Sequence, residues 1–233
     1  MIINIYAHIF ISILLTERVK RMSLLYPHQF HDIEHRVARL INVYKSVNDT
    51  RTISLIQSET QDHILSLFPK KTLELEKWVD QLMTLDLSTY KAEKLLAEMK
   101  PYVKPFTHPS PQQVKKVFRK VKKLKTPKIS EEVLYDSTYI GWTDIASQRK
   151  YILYYDKNGK LQGFYGDISP QVVKGFCSIC NKESNVSLFM RKTNQSSDGR
   201  YTKKGDYICH DSVKCNRQLD SLVHFQNFLH KIQ

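Results

Sequence analysis

The chain has 233 residues, is 41% hydrophobic and holds only 7 Gly and 8 Pro, which excludes a disordered chain and fits one or two domains. Its net charge is +13, and the excess sits late: residues 22–98 carry 9 basic and 11 acidic groups, residues 99–233 carry 24 and 11, and residues 1–21 carry 3 and 1. The C-terminal part is therefore suited to an acidic partner, either nucleic acid or protein.

Residues 2–15 form an apolar run of 14, short of the roughly 20 that a spanning helix needs. No basic region precedes the run and no small-residue cleavage site comes after it, so it does not read as a secretory signal. The preferred reading takes residues 1–21 as an upstream extension ahead of a start at Met22. The alternatives are an N-terminal helix packed on the neighbouring helical bundle, or a weak membrane anchor.

Residues 22–100 read as a helical domain. Phe30, Ile33, Val37, Leu40, Ile41 and Tyr44 recur at helical spacing until Asn48 and Asp49 break the pattern. A second helix is expected over Thr50–Leu67, and a third over Thr72–Leu85 with Trp78, Val79 and Leu82 on one side. A fourth starts near Ser88, a good N-cap, and ends before Pro101. The short connections imply an antiparallel four-helix bundle.

Residues 101–111 hold four prolines and read as a linker into a second domain, 112–233. A helix is expected from Gln112 to about Lys125. From Val133 the texture turns to strands: Thr138–Trp142, then a hairpin over Tyr151–Asp167 turning at Asn158-Gly159, a pair whose usual turn has positive φ at both residues. A second hairpin is expected from Asn185–Lys192 to Arg200–Cys209, turning at Asp198-Gly199. One amphipathic helix, Asn216–Lys231, closes the chain. The fold class is α+β.

The only four cysteines are Cys177, Cys180, Cys209 and Cys215, spaced C-x2-C, 28 residues, C-x5-C. The first pair makes a tight knuckle whose bite suits tetrahedral zinc. Knuckle, hairpin, then a helix opening at the second pair is the layout of a treble clef. Four thiolates close the coordination shell, which points to one structural Zn2+ rather than a catalytic one, and such a site contributes on the order of 10 kcal/mol to folding. His210 is the one neighbour able to replace a ligand. Nothing indicates secretion, so disulfides are disfavoured.

Other features weigh less. Lys100–Lys128 contains 10 Lys or Arg and no acid; it is a polyanion or acidic-partner surface, the solvated face of an amphipathic helix, or both. His28, His31 and His35 lie within two turns of one helix but lack a second ligand source. Gly159, Gly163 and Gly166 sit in a hairpin and make no phosphate loop. No nucleophile motif or paired-carboxylate arrangement is readable, which lowers the prospect of an enzyme. Near the zinc site, Phe176 precedes the knuckle and Tyr207 precedes Cys209, with Lys203 and Lys204 close by. These rings either fill the small domain's own core or anchor a partner. Phe228 falls near or beyond the edge of the last helix's stripe of Leu219, Leu222, Phe225 and Leu229, and the spacing leaves open whether its ring is exposed or in the core.

VVKGFCSICNKESNVSLF at Val172–Phe189 and KKGDYICHDSVKCNRQL at Lys203–Leu219 closely resemble the FusB/FusC family of fusidic acid resistance proteins. YPHQF, PFTHPSPQQVKKVFRKVKK and GWTDIASQRKYILYYD add to the resemblance, which covers nearly all of residues 22–233. It implies a helical bundle followed by an α/β domain with a four-cysteine zinc finger. It further implies a cytoplasmic, monomeric, non-enzymatic protein that binds elongation factor G and promotes its release from ribosomes stalled by fusidic acid, which is target protection. By the same resemblance the zinc ligands fall on Cys177, Cys180, Cys209 and Cys215, and the partner contacts on Phe176, Lys204, Tyr207 and Phe228. A secondary RNA contact through the basic Lys115–Lys125 helix goes with this reading, and the competing expectation is an RNA-binding zinc protein acting directly on the ribosome.

Overall fold

A computed structural model describes residues 25–195 and 201–232. The readings of residues 1–21 and of the Asp198-Gly199 turn fall outside that range. The chain divides into two compact units with the boundary between Lys104 and Pro105.

In the first unit, helices α1 (Pro27–Ser46), α2 (Thr50–Ser66), α3 (Leu73–Leu82) and α4 (Thr89–Met99) follow the apolar spacing closely. Each start has a local cause. Pro27 fixes the first turn of α1, while Asp49, Thr72 and Ser88 cap the other three by accepting from backbone N–H groups that no helical carbonyl reaches. Successive helices pack together and α1 also meets α4, so the four close on one core that includes Phe30, Ile33, Leu40, Ile64 and Val79. Polar groups lock the closure: Trp78 Nε1 donates to Leu95 O at 2.9 Å and Tyr44 Oη to Met83 O at 3.0 Å. Beyond a 3-10 turn at Lys100–Tyr102, Val103 bridges back to Leu25.

The second unit is an antiparallel sheet with short helices. Its strands are β1 (Ile140–Asp144), β2 (Arg149–Tyr155), β3 (Leu161–Ile168), β4 (Val173–Phe176), β5 (Glu183–Gln195) and β6 (Tyr201–Cys209). The long β5 pairs with β3 and β4, and β6 pairs with β5. Strand alternation gives β2 two apolar faces. Tyr151 and Leu153 pack with Phe106, Val114, Phe118 and Leu134, whereas Ile152 packs with Phe164, Phe189, Phe225 and the four cysteines.

Several boundaries differ from the sequence reading. The basic helix is short, α5 (Pro111–Val117), because Phe118 leaves helical geometry to bury its ring against Trp142 and Tyr151. Trp142 Nε1 then donates to Lys125 O at 2.9 Å, which holds the adjoining basic stretch off any helical path. At Val133, the expected start of the strand texture, the chain is in a short helix, α6 (Glu131–Tyr135), whose first turn carries Glu131 and Glu132 at the favourable end of the dipole. The hairpin at Asn158-Gly159 forms, but only Gly159 has positive φ, at 72°. The turn is organised instead by the Asp156 carboxylate, which accepts from Asn158 N and Lys160 N at 2.9 Å each.

The last helix is two helices, α7 (Ser212–Gln218) and α8 (Leu222–Ile232). The break resets the helical phase, so Leu219 does not belong to the α8 stripe. The buried face of α8 is Phe225, Phe228 and Ile232, with Leu222 and Leu229 packed on its flank. Phe228 is consequently 2% exposed and lies between Phe164 and Phe189, which does not fit the direct partner contact that the resemblance implies for it.

Candidate metal centre and binding surface

Three elements bring the four cysteines together. Cys177 and Cys180 lie on the knuckle after β4, Cys209 ends β6, and Cys215 lies on α7. Asp211 starts α7 by accepting from Val213 N and Lys214 N. Asn181 supports the knuckle with a left-handed φ of 54° and donates its N–H to Cys177 O at 2.8 Å.

All four Sγ atoms lie within 4.8 Å of one another, and all four residues are buried. The Cys177–Cys215 and Cys180–Cys209 sulfur pairs are each 3.7 Å apart. A tetrahedron with metal–sulfur bonds of about 2.3 Å has edges of roughly 3.8 Å, so the cluster has the dimensions of a tetrathiolate metal site. Backbone N–H groups of Ile179 and Cys209 donate to Cys177 Sγ at 3.3 and 3.2 Å. Hydrogen bonds from the neighbouring cysteines, Cys180 first, hold the Cys177 thiol below its ordinary range, while burial pushes Cys215 well above it. As four thiolates these buried residues would need a cation to share the site, and their spacing can hold one.

The surroundings fix this geometry. Asn216, next to Cys215, accepts from Thr138 N at 2.8 Å and donates to Tyr139 O at 2.9 Å, pinning α7 to the start of β1. Gly141 allows that approach, since a Cβ there would come within 2.3 Å of Ser212 Oγ. Lys150 is buried, and its Nζ donates to His210 O at 2.7 Å; burial lowers its pKa, and the nearby Cys215 and Cys209 oppose that shift. His210 turns its Nδ1 to Ser187 Oγ at 2.9 Å and stands outside the four-cysteine group, which argues against it as a substitute ligand.

The other expected site residues divide. Phe176 is 69% exposed at the end of β4, and Tyr207 is 44% exposed on β6. Lys204 is exposed and pairs across the ladder with Arg191. The cysteine cluster fixes the strand ends that carry both rings, and Ser178 N donates to Tyr207 O at 2.9 Å, joining knuckle and strand. Phe228 lies in the core below. Sequence reasoning missed Leu188, which faces Tyr207 across the β5–β6 ladder and is also exposed. That pairing depends on register, which no local pattern carries. It missed Asn216 as well, whose role depends on a partner 77 residues away.

His31 is buried and pairs with Glu34 at 2.7 Å, and Asp32 engages both Arg36 and His63. Among the described residues, no helix is long and apolar enough to cross a membrane.

Residues 24–107 match a family model described as the N-terminal part of elongation factor G-binding protein. A solved structure of the fusidic acid resistance protein FusC is similar throughout: 41% identical, TM-score 0.86, covering 91% of this chain and 99% of that one. No curated protein matches the chain.

Proposed function

This chain belongs to the FusB/FusC family of fusidic acid resistance proteins, and from that membership we propose that it binds elongation factor G and speeds the factor's release from ribosomes stalled by fusidic acid. The observation that carries the reading is the pair of exposed rings, Phe176 and Tyr207, held beside a rigid cysteine cluster on a basic unit. Exposed aromatic anchors are typical of protein-binding hot spots, and Lys204 beside them adds a cation suited to an acidic partner. The +13 charge of residues 99–233 speeds encounter with an acidic factor.

One structural Zn2+ on Cys177, Cys180, Cys209 and Cys215 fits the 3.7 Å sulfur spacings. All four cysteines would hold the ion, which would tie together the strand ends that present the contacts and play a structural part only. Phe228 acts beneath the contact surface by filling the core under β5, rather than by touching the partner. The protein acts in the cytoplasm as a monomer and leaves the drug unmodified.

Release requires differential binding. A protein with equal affinity for free and ribosome-held factor would shift nothing, so it must favour a factor conformation that the ribosome holds poorly. The test is the dissociation rate of labelled elongation factor G from drug-stalled ribosomes with and without this protein. A rate that rises with protein concentration supports the mechanism; an unchanged rate defeats it.

A further inference from the structure

The stretch from Lys115 to Lys128 carries eight Lys or Arg residues and no carboxylate. All eight are exposed. The apolar residues among them turn the other way: Phe118 is buried against Tyr151 and Trp142, and Val117, Val121 and Leu124 pack on the same cluster. The segment therefore shows solvent almost nothing but cations.

Its position separates it from the cysteine layer. The segment covers the face of β2 that carries Tyr151 and Leu153, while the cysteines and α8 share a core with Ile152 on the opposite face. The two surfaces also differ in chemistry. The cysteine side offers exposed rings at Phe176 and Tyr207. The basic side offers none between positions 115 and 128, and protein interfaces draw most of their energy from buried aromatic or apolar anchors. A phosphate backbone needs no such anchor, because counterion release drives its binding. Seven of the eight cations are Lys, compact point charges that suit contact with phosphates rather than the forked recognition of base edges that Arg provides.

We infer that residues 115–128 form a second binding surface, one that tracks the phosphate backbone of RNA without reading its sequence. The choice of RNA as the polyanion rests on the proposed action at the ribosome. The binding itself is measured without the factor, so the two readings fail separately.

The test is fluorescence anisotropy with a labelled oligouridine of about 20 nucleotides, titrated with the full chain over a series of salt concentrations. Three proteins are compared: wild type, a variant with Lys116, Lys120, Lys122 and Lys123 all changed to Gln, and a charge-matched control with Lys70, Lys71, Lys77 and Lys94 changed to Gln. At about 50 mM salt the first variant should bind RNA at least tenfold more weakly, with a salt slope shallower by roughly 2–3, while the control stays within about twofold of wild type. Binding of elongation factor G by the first variant should change little. The inference is overturned if wild type does not bind RNA at this salt. Equal loss in the two variants also overturns it, since net charge alone would then explain binding. So does a first variant that loses factor binding as strongly as RNA binding, which would make this face part of the protein interface.

Discussion

Asn216 and Tyr139 are joined by two hydrogen bonds running in opposite senses: Asn216 Oδ1 accepts from Tyr139 N at 3.2 Å, and Asn216 Nδ2 donates to Tyr139 O at 2.9 Å. Asn216 is the residue directly after Cys215, so the helix that carries one cysteine of the cluster is fastened to the start of the first strand of the sheet. Asn216→Ala would strip partners from the buried Tyr139 backbone and cost roughly 2–4 kcal/mol, because orphaned buried polar groups carry their full desolvation penalty. Chemical denaturation should show that loss, with one metal ion still bound per folded chain.

Metal removal should act on the second unit. Treatment with a strong chelator is expected to release one zinc per chain and to speed amide exchange in β4, β5, β6 and α7, the elements that carry or flank the cysteines. Protection in α1–α4 should persist. Unchanged exchange around Cys177 and Cys215 after chelation would show that the fold does not depend on the metal.

Phe176 and Phe228 should respond oppositely to truncation. Phe228→Ala empties a site between Phe164 and Phe189 and should cost about 3–5 kcal/mol of stability. Phe176→Ala removes an exposed ring and should change stability by no more than about 0.5 kcal/mol, while weakening partner binding tenfold or more. Thermal unfolding and binding measured on the same samples separate the two effects.

Acid should weaken the helical unit through His28. Burial first, then the neighbouring His31, lowers its pKa from 6.5 to about 4, so the folded state binds fewer protons than the unfolded state between those values. Stability is complete above the unfolded value and falls as pH drops from 6.5 toward 4, by at most about 3 kcal/mol. A His28→Gln variant should show a flatter pH dependence across that window. An identical dependence in both proteins would assign the acid sensitivity to other groups.

Much of the fold is legible in the sequence, for identifiable reasons. The α1–α4 boundaries follow from caps at Asp49, Thr72 and Ser88 and from runs long enough to show a helical period. The clustering of the four cysteines is legible from their spacing because the knuckle is a local feature. What stays hidden depends on distant contacts. The basic helix stops early because Phe118 is claimed by Trp142 and Tyr151, and nothing near Phe118 in sequence announces that. Phe228 is left unplaced by a sequence reading that runs one helix where two meet, and a short break rotates the stripe. The exposed pairing of Leu188 with Tyr207 needs the strand register.

The most direct measurement is a calorimetric titration of the zinc-loaded chain with purified elongation factor G, run beside a Phe176→Ala, Tyr207→Ala double variant whose folding has been checked. Tight one-to-one binding by wild type, weakened at least tenfold in the folded variant, is the expected result. Absence of binding by wild type, or full binding by the variant, would contradict a contact made through the surface beside the cysteine cluster.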